Sequence, residues 1–361
     1  MKKVLILCLH RPGRSPSQRF RFEQYLDFLT GKGYEFTFSY LLSQEDDKIF
    51  YQPGHTFKKA GIVLKSIWKR WKEIRNTGHY DLVFVQRESF MLGTAWFEKK
   101  IAKKVPLIFD FDDAIWLQFV SEANKKLFFL KDASKTAKII SVSHWIFAGN
   151  QYLAKYATKF NRNITIIHTT IDTALYAPVA KSKKNKSICI GWTGSFSTLQ
   201  HFKRAIPALK RIKDKYGSGV SFKIIGDKSY YCAELEAQGE AWVAVTEIEE
   251  LLKIDLGIMP LPDDEWAKGK CGLKGLQYMS LAIPTLMSAV GVNSEIIQHG
   301  VNGYLPDKED EWVNILSNLI DDMQLRERIG KAGRQTVVSR YSVEAWKYRY
   351  LEIFNKLTSN A

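Results

Sequence analysis

The sequence is poor in cysteine, and the few cysteines are scattered. Its 361 residues contain four of them, with no CxxC pair and no spacing typical of metal ligands. Cys8 and Cys189 lie in apolar, strand-like runs, where cysteine usually acts as a small buried hydrophobe. This pattern argues against a disulfide framework and indicates a reducing compartment.

Long apolar runs are also missing. Because no stretch of about 18 apolar residues occurs, the sequence predicts no transmembrane helix. The apolar run at residues 4–9 is short and is followed by Arg11 without a cleavage-type site, so we interpret it as a buried strand rather than a signal peptide. With 45% hydrophobic and 25% charged residues, the composition is that of a globular protein without long disordered regions.

Acidic residues are outnumbered by basic ones. The chain has 53 Lys and Arg against 38 Asp and Glu, a formal net charge of +15. Such an excess favours anionic partners: nucleotides, nucleic acid or anionic lipid surfaces. No nucleic-acid recognition module is apparent and the charge is spread over many elements, so we do not expect nucleic acid to be the partner.

Strand-like and helical patterns alternate along both halves of the chain. Strands are predicted at 4–9, 34–41, 81–86, 106–111, 139–142, 165–167, 188–192, 220–225, 242–245, 256–259 and 284–288. Helices are predicted from about 18, at 58–75, 91–103, 150–156, from about 196 to 216, and at 247–252, 273–281, 309–322, 325–339 and 343–357. This alternation is typical of α/β proteins with doubly wound parallel sheets. The polar, lysine-rich stretch 170–186 is the predicted boundary between two domains, 1–170 and 171–342.

The stretch 255–305 reads as a strand, a basic glycine loop, a helix and a second strand, which together form a βαβ unit. Lys268, Lys270, Gly272 and Lys274 lie in the loop or at the helix start. A glycine loop at a helix N-terminus exposes backbone N–H groups, and lysines add positive charge, so we interpret this loop as a phosphate site. A connector with merely solvated lysines is the alternative.

The loop after the first predicted strand is dense in arginine. It follows the carboxyl end of a strand, which is where α/β sheets bind ligands. We therefore predict an acceptor or anion site formed by Arg14 and Arg19, with Arg87 at the end of another strand, and solvated charge is the alternative. Ser17 is the predicted cap of the helix that follows.

A basic amphipathic helix is predicted for residues 58–75. Its apolar residues recur near helical spacing and are Ile62, Val63, Ile67, Trp68, Trp71 and Ile74. Its basic residues are Lys58, Lys59, Lys65, Lys69, Arg70, Lys72 and Arg75. Helices of this kind can lie on anionic membranes. A surface helix that packs its apolar side on the sheet is the alternative.

The order of several motifs resembles the GT-B glycosyltransferases, and within them the retaining group called family 4, or glycosyl transferases group 1. The motifs are SPSQRFRFEQYL, NITIIHTTIDTALYAP, IGWTGS, the run from DLGIMPLPDD to GKCGLKGLQYMSLAIP, and VGVNSEIIQHGVNGYL, and the similarity spans essentially the whole chain. The resemblance implies two Rossmann-like domains that face each other across a cleft. The C-terminal domain would bind a nucleotide-sugar and the N-terminal domain the acceptor. The helix 343–357 would cross back to the first domain.

The match is uneven at the implied donor site. Where relatives often have two glutamates, this sequence has Gly269 and Gln277. Where they often have Arg and Lys around the glycine turn, it has Ser195 and His201. The resemblance therefore implies that other cations replace the missing pair, and the candidates are Lys268, Lys270 and Lys274. Gln277 could still hydrogen-bond the ribose.

The implied reaction is transfer of a sugar from a nucleoside diphosphate sugar to a hydroxyl acceptor with retention. The predicted catalytic residues are Lys274 and Lys268, which stabilise the leaving group, and Asp112, which orients sugar hydroxyls. The predicted donor-binding residues are Gly13, Gly194, Ser195, Lys270, Gly272, Gln277 and Glu295. No cofactor and no metal are expected. Metal binding by Asp110 and Asp112 in an Asp-x-Asp pattern is the alternative.

The resemblance also implies a role in the assembly of cell-surface polysaccharide or lipopolysaccharide. The expected acceptor is a glycan or lipid-linked molecule, and the expected location is the cytoplasm, with the helix 58–75 on the inner face of the membrane. Two alternatives share the fold: a sugar-nucleotide epimerase, and a non-catalytic homologue that binds the sugar nucleotide.

Overall fold

The computed structural model describes residues 1–52, 54–117, 132–179 and 187–359. The chain divides into two compact units, one made of Met1–Thr169 with Trp346–Ala361 and the other of Thr170–Ala345. Each unit contains its own six-stranded sheet. The α/β class with two parallel-sheet domains is therefore confirmed. Residues 180–186 of the predicted boundary segment lie outside the described residues.

The first unit is built on a wholly parallel sheet. Its strands are β1 Lys2–His10, β2 Tyr34–Leu42, β3 Leu82–Gln86, β4 Leu107–Phe111, β5 Trp145–Ala148 and β6 Ile164–Ile166. They lie in the order β2-β1-β3-β4-β5-β6, and all neighbours run parallel. Strands β3 and β4 are buried along their whole length, as expected for central strands covered on both faces.

The helices of the first unit connect these strands. They are α1 Pro16–Arg19, α2 Leu26–Thr30, α3 Gln44–Phe50, α4 Thr56–Asn76, α5 Trp96–Ala102, α6 Lys135–Val142 and α7 Gln151–Ala157. Ser15, not Ser17, occupies the N-cap position of α1. None of the helices among the described residues is long and apolar enough to cross a membrane.

The second unit has one antiparallel pair at the edge of an otherwise parallel sheet. Its strands are β7 Ile188–Thr193, β8 Val220–Ile225, β9 Tyr231–Cys232, β10 Ala237–Glu240, β11 Leu256–Met259 and β12 Thr285–Met287. Their order is β12-β11-β7-β8-β10-β9, and only β9 and β10 pair antiparallel. The helices are α8 Leu199–Phe202, α9 Ile206–Tyr216, α10 Glu247–Leu252, α11 Glu265–Lys268, α12 Leu273–Ser280, α13 Asn293–Ile296, α14 Glu309–Asp321 and α15 Met323–Arg340. The last helix, α16 Val343–Thr358, begins in this unit and belongs to the first unit from Trp346 onward.

Two predicted strands are wrong. Residues 139–142 belong to helix α6, and the strand follows at β5. Their buried residues, Ile139 and Ile140, form a short apolar run, and periodicity alone cannot separate such a run from a buried helical turn. Residues 242–245 are not a strand either. The strand there is β10, whose sequence AQGE carries no strand signal and which is defined by its pairing with β8 and β9.

Helix α12 lies unusually close to the strands beneath it because glycines remove side chains at the contact. A Cβ atom at Gly257 would lie 2.5 Å from the ring of Tyr278, and one at Gly275 would lie 2.0 Å from Sδ of Met287. Larger residues at these positions would push the helix off β11 and β12. The start of α12 is thereby held at the carboxyl edge of the sheet.

The final helix, α16, begins at a capped turn and ends in the first unit. Oγ of Ser342 accepts a hydrogen bond from the N–H of Ala345 at 3.1 Å and so caps the start of the helix. From Trp346 onward the residues belong to the first unit. There the buried ring of Tyr350 stacks on Tyr25 with 4.2 Å between centroids, and its hydroxyl donates to the carbonyl of Arg21.

Replacing Tyr350 by alanine should destabilise the first unit by about 3–5 kcal/mol, because it opens a cavity and removes a buried hydrogen bond. The measurement is the urea midpoint of the first unit, followed by circular dichroism. Tyr348→Ala on the same helix is the matched control, since its side chain is 61% exposed. Equal midpoints for the two variants would contradict the prediction.

Candidate functional site

The N-terminus of α12 is open toward the carboxyl edge of the second sheet. Gly272 occupies its N-cap position with a φ of 72°, a left-handed conformation that suits glycine, and no side chain caps the helix. A Cβ there would lie 2.4 Å from Cδ1 of Ile296. Among the described residues, no acceptor is hydrogen-bonded to the backbone N–H groups of Leu273, Lys274 and Gly275. An open helix start with free N–H groups binds anions.

Lys274 stands in the first turn of α12 without a counter-ion. Its Nζ is 4.3 Å from the centroid of the Trp192 ring and 3.4 Å from Oγ1 of Thr198. No carboxylate of the described residues lies within ion-pair distance of it. Burial, helped by the nearby charge of Lys270, lowers the pKa of Lys274 to about 7. An anion at this site would favour the charged ammonium and raise that pKa.

Aromatic side chains surround this lysine. Trp192 is buried, and its Nε1 has no hydrogen-bond partner among the described residues. His201 is also buried, and burial together with Lys274 lowers its pKa to about 4, so the imidazole is neutral at pH 7. His201 therefore supplies no charge at the position where the family often has lysine. The positive charge at this point of the site comes from Lys274.

The two other predicted lysines have different surroundings. Lys268, at the end of α11, forms ion pairs with Glu265 at 2.9 Å and Asp263 at 3.6 Å, and Glu265 in particular raises the pKa of Lys268. Nζ of Lys270 lies 4.9 Å from the centroid of the Trp266 ring. The charge of Lys268 is thus shared with two carboxylates, whereas that of Lys274 is not.

The turn after β7 is held by its own hydrogen bonds. The amide of Gly194 donates to the carbonyl of Ile225 at 2.9 Å, and the amide of Ser195 donates to Oγ1 of Thr198 at 2.9 Å. A Cβ at Gly194 would lie 2.2 Å from the Trp192 ring. Neither amide is free to receive a ligand in this arrangement, and the glycine makes room for the tryptophan.

Gln277 lies in a buried network that the sequence did not reveal. Its amide nitrogen is 3.2 Å from Oε1 of Glu247 and 3.4 Å from the hydroxyl of Tyr176. Glu247 also accepts from the Tyr176 hydroxyl at 2.6 Å and from Nε1 of Trp242 at 2.9 Å. The network ties α12 to α10. The predicted ribose contact of Gln277 would have to share its side chain with these partners.

Glu295 lies on a helix beside the start of α12. The side chains of Ile296, in this helix α13, and of Val292, its N-cap residue, lie close to Gly272. Burial raises the pKa of Glu295, and the charge of Arg340 opposes the rise. Its predicted role in binding donor hydroxyls stays a prediction.

The carboxyl edge of the first sheet brings two predicted residues into direct contact. Asp112 accepts a hydrogen bond from the hydroxyl of Ser17, and its Oδ1 lies 3.1 Å from Nε of Arg87. Arg87 also pairs with Asp113 and has a φ of 62°, which is uncommon for a residue with a side chain. Nε2 of Gln86 donates to Ser17 at 3.0 Å. The Asp112 carboxylate therefore has a hydrogen bond from Ser17 and an ion-pair contact with Arg87.

Asp110 differs from Asp112 and Asp113 in being fully buried and bonded to Arg21. It is fully buried, Nε of Arg21 lies 3.2 Å and 3.3 Å from its two oxygens, and a second guanidinium nitrogen also donates to it. Burial raises the pKa of Asp110 and the Arg21 guanidinium opposes that rise. Among the described residues there is no group of three or more His, Cys, Asp or Glu that could hold a metal ion.

The arginine-rich loop is held by carboxylates. Nε of Arg14 donates to Asp47 at 2.6 Å, and the guanidinium of Arg19 lies 5.0 Å from the centroid of the Phe20 ring. Gly13 has a φ of 76°, and its N–H donates to Glu23 at 2.8 Å. The charge of Arg14 is thus already compensated, a feature that the sequence did not indicate because Asp47 is distant along the chain.

Comparison with known proteins gives a match to one protein family and to a known fold. Residues 178–336 match the family model described as glycosyl transferases group 1. These residues lie within the second unit, so the similarity to this family covers most of that unit and less than half of the chain. Among curated proteins no sequence match is found.

Solved structures resemble the whole chain. Sucrose-phosphate synthase from Thermosynechococcus elongatus aligns with a TM-score of 0.73 at 12% identity, covering 100% of both chains. HepE from Anabaena, in complex with UDP and glucose, aligns with a TM-score of 0.67 at 16% identity over 99% of this chain and 100% of its own. A protein from Listeria monocytogenes assigned as a UDP-N-acetylglucosamine 2-epimerase aligns at 0.61 and 12% identity over 100% and 98%. The chain has the fold of the GT-B glycosyltransferases, and the resemblance inferred from its motifs is confirmed.

Replacing Lys274 by methionine should stabilise the protein at neutral pH, because it removes a poorly compensated charge from a partly buried site. Below about pH 7 the wild-type lysine is charged when folded, and between there and 10.5 only the unfolded state keeps the proton. The destabilisation caused by Lys274 is therefore complete below about pH 7 and decreases as pH rises from there toward 10.5. We expect a higher Tm for Lys274→Met at pH 7 and a smaller difference at pH 10.

Differential scanning calorimetry measures both effects. Lys228→Met, at an exposed lysine of the same unit, is the control and should leave Tm unchanged. A lower Tm for Lys274→Met at pH 7 would mean that the ammonium is stabilised by partners that compensate its burial.

Proposed function

We propose that this protein is a retaining glycosyltransferase that moves a sugar from a nucleoside diphosphate sugar to a hydroxyl of a glycan or lipid-linked acceptor. The observation that carries the proposal is Lys274 at the open start of α12, an ammonium with no carboxylate partner beside free backbone N–H groups. It lies in the domain that matches glycosyl transferases group 1. A diphosphate is the anion whose charge such an arrangement complements.

The chemical step requires stabilisation of the leaving diphosphate as the glycosidic bond breaks. In our proposal, the α12 amides and Lys274 act on that developing charge. Electrostatic stabilisation of this kind is the largest single contribution to catalysis in many enzymes. Lys270 adds positive charge, and Lys268 contributes less because Glu265 and Asp263 share its charge. The incoming diphosphate would raise the pKa of Lys274, so that the lysine is protonated when the bond breaks.

Retention follows in our proposal from attack on the same face as the departing diphosphate. The diphosphate itself accepts the proton of the acceptor hydroxyl, so no strong protein base is needed. Asp112 is proposed to orient a sugar hydroxyl, which is supported by the contacts of its carboxylate with Ser17 and Arg87. Glu295 is proposed to accept from donor hydroxyls. Gln277 is proposed to position the start of α12 through Glu247.

The proposed biological setting is assembly of cell-surface polysaccharide or lipopolysaccharide in the cytoplasm, at the inner face of a membrane. The motif resemblance supports this setting, and the UDP and glucose bound by HepE support a nucleotide-sugar donor. We propose no cofactor, no metal and no nucleic-acid partner.

An epimerase is the second candidate, because the Listeria structure shares the fold. Epimerisation needs carboxylates that move protons at the sugar, and it needs no acceptor. Product analysis of UDP-sugars incubated without acceptor distinguishes the two functions. A non-catalytic homologue would bind the sugar nucleotide but would not convert it, whichever acceptor is added.

Substituting Lys274 by alanine should reduce turnover by roughly tenfold to a thousandfold, the range for losing one group that stabilises developing charge. The donor is first identified by thermal shift with UDP-, GDP- and ADP-sugars, since a ligand that binds the folded state raises Tm. Initial rates of sugar transfer are then compared for Lys274→Ala, Lys268→Ala and the control Lys228→Ala.

We expect Lys274→Ala to lower the rate of sugar transfer much more than Lys268→Ala does. Lys228→Ala should leave the rate unchanged. Equal rates for Lys274→Ala and wild type, with folding intact, would remove Lys274 from the diphosphate site. A loss for Lys268→Ala as large as that for Lys274→Ala would contradict the argument from charge sharing.

Treatment with EDTA should leave transfer activity intact, because lysine and backbone amides supply the charge that a metal would otherwise supply. The measurement is the initial rate before and after chelation. If the rate falls and Mn²⁺ restores it, the Asp110 and Asp112 metal hypothesis becomes the better one. Asp112→Asn then tells whether that carboxylate is a ligand, since Mn²⁺ affinity should fall.

A further inference from the structure

Helix α4 is attached to the first sheet by one narrow stripe of residues. Its buried positions are Ile62, Ser66, Arg70 and Ile74, each four residues from the next. Arg70 is fully buried, and its guanidinium donates to the carbonyls of Ser89 and Cys8, to Oγ of Ser39 at 2.6 Å, and to Glu73 at 2.6 Å. The buried residues of α4 thus all lie on this one stripe.

A second apolar stripe on α4 is partly to largely exposed in the part of the chain that the structure describes. Its members and their exposed fractions are Phe57 at 95%, Leu64 at 67%, Ile67 at 40%, Trp68 at 64% and Trp71 at 46%. With 3.6 residues per turn, Leu64, Trp68 and Trp71 fall on the side opposite Ser66. The alternative that the apolar side chains of this helix pack on the sheet therefore holds for Ile62 and Ile74 but not for the tryptophans.

The charged residues of α4 beside this stripe are positive, and of these Lys65 is paired with Asp46 at 3.3 Å. Nζ of Lys72 lies 5.7 Å from the centroid of the Trp68 ring, and the Arg75 guanidinium lies 4.5 Å from that of Trp71. No carboxylate of the described residues is within ion-pair distance of Lys58, Lys72 or Arg75. The single acidic residue of α4, Glu73, is bonded to Arg70 on the inward side.

Helix α5 also carries an exposed tryptophan beside a lysine. Trp96 is 45% exposed and Nζ of Lys100 lies 5.7 Å from its ring centroid. Nζ of Lys104, just beyond α5, donates to the carbonyl of Ile74 at 2.7 Å, which holds this segment beside the end of α4. Exposed indoles flanked by cations therefore occur on two neighbouring helices.

We propose that the outward face of α4, extended by Trp96, docks on an anionic lipid bilayer. Tryptophan rings and lysine stems suit the boundary between headgroups and acyl chains, while the ammonium and guanidinium groups meet the lipid phosphates. A second copy of this chain is a poorer occupant, because it would bring the same positive charges together. The proposal does not rest on sugar transfer, so vesicle binding and donor binding can fail separately.

Co-sedimentation of the full chain with vesicles tests this surface. Wild type should bind vesicles of phosphatidylcholine mixed with phosphatidylglycerol and bind phosphatidylcholine alone at least tenfold more weakly. Trp68→Ser with Trp71→Ser removes the apolar part, and Lys58→Glu, Lys72→Glu and Arg75→Glu reverse the charge. Each lost cation should weaken binding by about fivefold, and the weakening should be largest at low salt.

The control variant combines Tyr231→Ser, Lys228→Glu and Lys331→Glu, which changes an exposed aromatic residue and two exposed lysines of the second unit. It should bind the mixed vesicles as wild type does. Both α4 variants should keep the wild-type Tm, because the changed side chains do not pack on the sheet. Equal binding by the control and either α4 variant overturns the proposal. So does a wild-type dimer that dissociates in the tryptophan variant without loss of vesicle binding.

Discussion

The close contact between α12 and the strands beneath it is the constraint on which the candidate site depends. Gly257 and Gly275 remove the side chains that would separate them, so Tyr278 and Met287 pack directly against backbone. The hydroxyl of Tyr278 in turn accepts the amide of Thr193 at 2.8 Å, which links α12 to the end of β7. Because of these contacts, the start of α12 and the Trp192 ring meet at one edge of the sheet. Lys274 over the indole is the result.

The cations predicted to bind anions differ in their carboxylate partners. In the first unit, the arginines singled out by the sequence are largely matched by carboxylates: Arg14 by Asp47, and Arg87 by Asp112 and Asp113. In the second unit, Lys274 is matched by none. An isolated ammonium in a partly buried site lowers stability, and proteins retain such groups where a ligand supplies the missing charge. The difference favours our proposal of an anion site at the start of α12 over one at the arginine loop.

Helix α4 shows why an amphipathic pattern can be misread. The sequence carries two apolar stripes on one helix, and periodicity merges them into a single broad face. Only one stripe is buried against the rest of the first unit. The buried Arg70 lies in the middle of that stripe and donates hydrogen bonds to Ser39, Ser89 and Cys8. Trp68 and Trp71 stay partly exposed, on the same helix as Lys58, Lys72 and Arg75, which have no carboxylate partner among the described residues. A charged residue at the centre of the packed face is what hydrophobic patterning cannot anticipate.

The sequence by itself determined the α/β class, the two parallel sheets, most element positions and the βαβ unit that holds Lys274, since these follow from local periodicity and turn residues. It placed β11 and α10 without error. It could not place β10, whose residues AQGE form a strand only through pairing with β8. It also could not tell Lys274 from Lys268, or find the network of Glu247 with Gln277. Only tertiary structure decided those, because the state of a charge or a buried amide depends on partners distant along the chain.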